Sequence, residues 1–148
     1  MEKAIELLKK SGWVEGRKVD ISNVVQNYFD TSYELSKTQE FFLKEYLDLD
    51  IKYPSQRVAN LEMIISINPT KAGFAINDIM EIYERFIGES LFAVGDFELF
   101  PMTILLAKSG AFYGVNGEFV FEFGTDFKQV IDCCIDRRLS QIMRIEDF

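Results

Sequence analysis

LFAVGDFELFPMTILLAKSGAFYGVNGEFVFEF, residues Leu91–Phe123, is the stretch that decides the fold. Four runs rich in branched and aromatic residues, Leu91–Val94, Thr103–Ala107, Ala111–Val115 and Glu118–Phe123, read as strands. Ser109-Gly110 and Asn116-Gly117 are two-residue turn signals, and Asn-Gly is among the strongest short-range hairpin signals. In the last run Phe119, Phe121 and Phe123 share one face, while Val120 and Glu122 take the other. The stretch is therefore an antiparallel meander, and so aromatic a face requires helices to cover it.

Those helices are readable on both sides. Upstream, Ala4, Leu7, Leu8 and Ser11 recur at i, i+3, i+4, i+7, which predicts a helix over 2–11 closed by Gly12, with Trp13 folding back. Asp20 caps a short second helix with Val24, Val25, Tyr28 and Phe29 inward. Ser36 and Gln39 form a capping box for a third, carrying Phe41, Phe42, Leu43, Tyr46 and Leu47. Leu49–Tyr53 and Leu61–Ile67 then read as strands, the second ended by Asn68-Pro69. A fourth helix runs from Asp78, boxed with Glu81, to Ile87, with Ile79, Ile82, Tyr83 and Phe86 inward and Gly88 as its stop. Downstream, Asp126 opens a last helix with Phe127, Val130, Ile131 and Cys134 on one stripe. The fold class is α+β: a mostly antiparallel sheet, with a C-terminal meander, packed against N-terminal and C-terminal helices. No repeat, linker or low-complexity segment divides residues 1–148, which read as one domain.

Composition narrows the function. A hydrophobic fraction of 48% in 148 residues with 14 phenylalanines supports one core and excludes disorder. The longest apolar runs, Met63-Ile64-Ile65 and Ile104-Leu105-Leu106-Ala107, fall far short of the ~18–20 residues that span a bilayer. Charges in Met1-Glu2-Lys3-Ala4-Ile5-Glu6 leave no apolar stretch for a signal peptide, so the expected location is the cytoplasm. The two cysteines, Cys133 and Cys134, are adjacent, which argues against a disulfide framework and for a reducing compartment. There is no histidine, which removes Ser-His-Asp triads, Cys-His dyads and most zinc sites. No cofactor-binding or metal-ligating pattern is present.

The net charge of −8 is uneven. Nine acids between Gly73 and Phe127 (Asp78, Glu81, Glu84, Glu89, Asp96, Glu98, Glu118, Glu122, Asp126) stand against Arg85 and Lys108, so this span holds −7 of it. Nucleic acid is a poor partner for such a surface. A basic protein suits it, although acidity also serves solubility alone.

Three chemical readings compete. Asp96 and Glu98 flank Phe97 as a carboxylate pair for a small hydrolase, but no oxyanion or cofactor feature accompanies them. Asp48 and Asp50 fall short of a calcium ligand count. The segment Gly95-Asp96-Phe97-Glu98-Leu99-Phe100-Pro101, read as a loop, fits best as a binding feature with apolar anchors beside acids. Its alternative is that the rings fold back into the core.

The order of elements resembles the SUKH superfamily, and within it the third branch of bacterial immunity domains. The likeness is carried by Ala4-Ile5-Glu6-Leu7-Leu8 with Gly12-Trp13, Arg17-Lys18-Val19-Asp20, Phe42-Leu43-Lys44-Glu45-Tyr46 and the block Ile87–Asp96. Ser109-Gly110, Tyr113-Gly114 and the stretch from Phe123-Gly124 to Phe127 complete it, and it spans about residues 1–138. Where the family often has Gly-Gly after the third helix, this chain has Leu47-Asp48. The resemblance implies a non-enzymatic cytoplasmic protein that binds and neutralises a polymorphic toxin, often a nuclease; the alternative within the superfamily is a regulatory docking scaffold. Candidate partner contacts are Asp96, Phe97 and Glu98, with Asp48 at the departing corner and Glu89 in the late block.

Overall fold

The computed structural model describes residues 2–28, 34–76, 78–97, 102–136, 142–146 and 148. Among these, the chain forms α1 (Glu2–Lys10), α2 (Ser22–Tyr28), α3 (Lys37–Tyr46), β1 (Asp50–Pro54), β2 (Glu62–Ser66), α4 (Pro69–Ile76), α5 (Met80–Ile87), β3 (Leu91–Phe97), β4 (Thr103–Ala107), β5 (Phe112–Asn116), β6 (Phe119–Gly124), α6 (Phe127–Asp136) and β7 (Ile142–Arg144). The seven strands lie in chain order in one sheet, every neighbouring pair antiparallel. The α+β reading holds, and β7 adds a short strand beside β6 that hydrophobic pattern did not announce.

Both faces of the sheet are covered. On one, α1, α3 and α6 bury Leu8, Leu43 and Ile131 against Ile51, Ile65, Phe92 and Ile104. Phe42, Phe112 and Phe127 meet there at centroid distances of 5.1 to 5.9 Å, spacings that favour edge and offset contacts. On the other face, α4 and α5 bury Ala72, Ile76 and Tyr83 against Leu91, Leu105, Val115 and Val120. This second layer explains the continuous burial of β4, which has no solvent face.

The α3 capping box forms as read: Gln39 N–H donates to Ser36 Oγ at 3.2 Å and Ser36 N–H to Gln39 Oε1 at 3.0 Å. Gln39 is also fully buried, and its amide donates to the Leu106 carbonyl at 2.8 Å, fastening α3 to β4. Gly88 ends α5 at φ 86°, a left-handed backbone that only glycine adopts without strain. Trp13 N–H reaches back to the Leu8 carbonyl at 3.0 Å, and its ring is buried.

Several expectations are corrected. The strand ends before Asn68-Pro69 as read, but a helix follows that the pattern does not announce: Pro69 opens α4, and Asn68 Oδ1 accepts from Lys71 N–H at 3.2 Å. Pro at the first helical position loses no bond, because that N–H has no intrahelical partner. The Asp78–Glu81 box does not form; α5 begins at Met80 with Ile79 as cap and no side-chain cap bond, while Glu81 pairs with Arg85 one turn on. Phe86 is 40% exposed rather than inward. Phe119, the first residue of β6 beside the hairpin turn, is likewise 40% exposed, while Phe121 and Phe123 further along the strand are buried. Of the inward residues expected in α2, Val24 and Val25 are half-buried; Phe29 and the side chain of Tyr28 lie outside the described residues.

Candidate functional site

The segment read as a loop from Gly95 is in fact the end of β3. Asp96 pairs with Ser66 of β2 and Thr103 of β4, and Phe97 with Ile65. The reason is Gly95: a Cβ there would collide with the Ser66 carbonyl oxygen, so the missing side chain lets β2 and β3 close up. A bulge between Ala93 and Gly95 absorbs the irregularity and re-aims the residues beyond it. Phe97 is buried, so it serves the core rather than the surface, and Asp96 is half-buried. Glu98 lies outside the described residues.

Asp96 belongs to a polar row crossing the α4/α5 side of the sheet. Asp50, Ser66, Asp96 and Thr103 occupy one register level, and Ser66 Oγ donates to Asp50 Oδ1 at 2.8 Å. Asp48 stands just outside this row. It is exposed, donates its N–H to the Ile67 carbonyl at 2.9 Å, and holds φ 66°. Asp48 thus supplies the left-handed turn after α3 for which glycine is the usual residue.

Asp48 is held from beneath. Arg17 donates to the Glu45 carbonyl at 2.6 Å and the Leu47 carbonyl at 2.8 Å, satisfying the carbonyls at the end of α3. Trp13 Nε1–H donates to Glu45 Oε2 at 2.9 Å, and Lys128 Nζ lies 5.6 Å above the Trp13 ring. Burial, with the Glu45 and Asp126 carboxylates beside it, pushes the Tyr46 hydroxyl well above its ordinary range. This corner is a brace between the ends of α1 and α3 and the start of α6.

Glu89 sits beyond the other end of β3, so the structure does not bring it beside Asp96; the five residue steps from Leu91 to Asp96 alone span about 17 Å. Its carboxylate accepts from Ser109 Oγ at 3.0 Å and Ser109 N–H at 3.2 Å. Glu84 accepts from Leu91 N–H at 2.9 Å. Burial, with Glu122 and Glu89 close by, raises the Tyr113 hydroxyl. Asp78, Glu81, Glu84, Glu89, Asp96 and Glu122 thus all lie on the α4/α5 side, interrupted by Lys52, Lys71 and Arg85.

A second feature was not legible in the sequence. A cleft of about 260 Å³ opens between the β1–β2 hairpin and the end of α6, floored by Phe97 and Met102. Its advance signal is weak: Val58 is a branched apolar residue in the loop between β1 and β2, 54% exposed. Cys134 faces this cleft, and burial pushes its thiol far above the range in which a thiolate forms at neutral pH. Among the described residues no group of three or more Cys, Asp or Glu side chains is placed to hold a metal ion.

A model of the SUKH-3 immunity protein family matches residues 1–136, and the chain belongs to that family. No curated protein and no solved structure matches it. Membership makes a non-enzymatic inhibitor role and the binding of a cognate toxin the expected class of function.

Proposed function

We propose that this chain is the cytoplasmic immunity partner of a bacterial polymorphic toxin, and that it neutralises a basic toxin domain by covering it with the acidic α4/α5 side. The observation that carries the reading is the family match over residues 1–136, joined to a fold that gathers carboxylates on one side of the sheet. Asp48, Asp96, Glu98 and Glu89 are the proposed contact carboxylates, with Phe97 supporting Asp96 from the core side. Glu89 and Asp96 are far apart for a catalytic pair but not for an interface. A standard contact buries about 800 Å² per partner, a patch roughly 30 Å across. No nucleic acid or membrane enters this reading: the partner is protein, and the toxin supplies the positive charge.

The test is calorimetric titration of the chain with a candidate cognate toxin domain, together with an assay of that toxin's activity. A stoichiometric complex that abolishes the activity is the expected result. A toxin that stays active in the presence of excess folded chain overturns the proposal.

A further inference from the structure

The cleft beside α6 has a construction that the fold alone does not require. Its walls come from Tyr53, Leu61 and Met63 of the β1–β2 hairpin and from Cys134 and Ile135 of α6. The loop joining the two strands is pinned rather than collapsed inward. Ser55 N–H donates to the Leu61 carbonyl at 2.8 Å, and Ser55 Oγ accepts from Arg57 and Val58 N–H, both at 3.2 Å. Gln56 Nε2 donates to the Ile135 carbonyl at 2.5 Å, tying the loop to the end of α6. The cleft is thereby held open, with apolar walls and a volume of about 260 Å³, enough to admit one large side chain. Among the described residues that border it one is charged, Arg57, whose guanidinium makes no ion pair or hydrogen bond among the described residues.

We infer that this cleft receives a single apolar side chain of the protein partner, followed in the partner's sequence by a carboxylate that pairs with Arg57. This rests on the toxin-binding reading for its choice of a protein occupant. Charge complementarity selects the neighbour: an acid beside the apolar knob meets the Arg57 guanidinium, whereas a basic residue there meets it with repulsion. Met63 and Met102, unbranched and polarisable, let the walls adjust to a leucine, methionine or phenylalanine. The cleft lies on the α6 side of the sheet, opposite the acidic α4/α5 side. The two are then separate elements of recognition, the acidic side attracting the partner at long range and the cleft anchoring a segment of it.

The test needs no toxin. The chain has five methionines, of which Met63 and Met102 border the cleft while Met80 and Met143 lie in the second core, so ¹³C-methyl-methionine NMR reports the site directly. The labelled protein is titrated with the capped dipeptides acetyl-Leu-Glu-amide and acetyl-Leu-Lys-amide, and with octanoate. The expected result is a saturable shift confined to Met63 and Met102, with the glutamate peptide binding about two- to fivefold more tightly, the range of an exposed ion pair. Arg57→Glu, at an exposed loop position, reverses the order of the two peptides. Unmoved Met63 and Met102 signals, or equal affinities that ignore Arg57→Glu, overturn the inference. Octanoate binding more tightly than either peptide overturns it too, by making the cleft a site for small amphipathic carboxylates. A failed dipeptide titration leaves toxin binding to be judged on its own, and a toxin that does not bind leaves the titration readable.

Discussion

Asp48 and Gly95 are opposite solutions to the same problem of fitting backbone to neighbours. Asp48 carries a side chain through φ 66°, at a cost that glycine avoids. Asp48→Gly relieves that strain but loosens the unfolded chain, so the net change in urea-unfolding free energy is expected to be between zero and about 1 kcal/mol of stabilisation. A loss of stability would show that the carboxylate itself holds the turn. Gly95 admits no side chain because the neighbouring atom is the backbone carbonyl of Ser66, which cannot swing away as a side-chain end can. Gly95→Ala is expected to cost about 2–3 kcal/mol in the same measurement. This residue also explains where the sequence misled. Gly95-Asp96 has the composition of a turn, and the close approach of β2 that makes it a strand is long-range information. Reversing the charge of Asp96 therefore probes folding as well as binding, so exposed acids are the better probes of the interface.

Among the elements, those with local signals were legible and those made by packing were not. The α3 capping box and the Gly88 stop appear as read, and both hairpins form in the expected places, although the connections are Lys108–Gly110 and Gly117-Glu118 rather than Ser109-Gly110 and Asn116-Gly117. Helix α4, with Pro-Thr-Lys-Ala-Gly-Phe-Ala-Ile, has little amphipathic contrast to betray it. Its small residues Ala72 and Gly73 are buried against the sheet, a reason for their presence that only the second layer reveals. The tie from Gln39 to Leu106 spans 67 positions and leaves no trace in either segment. Gln39→Ala breaks the box and removes the buried tie to β4, and is expected to cost about 1–3 kcal/mol by thermal or urea unfolding. Along β6 the rings separate by cover: Phe123→Ala should cost about 3–5 kcal/mol, and Phe119→Ala less than about 1 kcal/mol. Equal losses would mean that the exposed ring is packed in solution.

At the scale of the whole molecule, six of the nine acids between Gly73 and Phe127 come to lie on the α4/α5 side of the sheet, while Asp126 stands beside Tyr46 at the opposite corner. The opposing helices α1, α3 and α6 carry mixed charge. Charge in sequence was readable; its collection on one side required knowing that α4 and α5 share a face of the sheet. Such a side accelerates encounter with a basic partner at long range and loses that advantage as salt screens it. Asp78 and Glu122 are both exposed, so reversing them changes the field with little effect on the fold. The decisive measurement is stopped-flow association of the wild-type chain and the Asp78→Lys, Glu122→Lys double variant with the purified toxin domain. It is run from about 0.01 M to about 1 M salt, where the screening length falls from about 30 Å to about 3 Å. The wild-type rate should fall about tenfold or more, and the double variant should start slower and fall less, with the thermal midpoint nearly unchanged. A rate indifferent to salt and to the double reversal would contradict the account and leave the acidity as an aid to solubility alone.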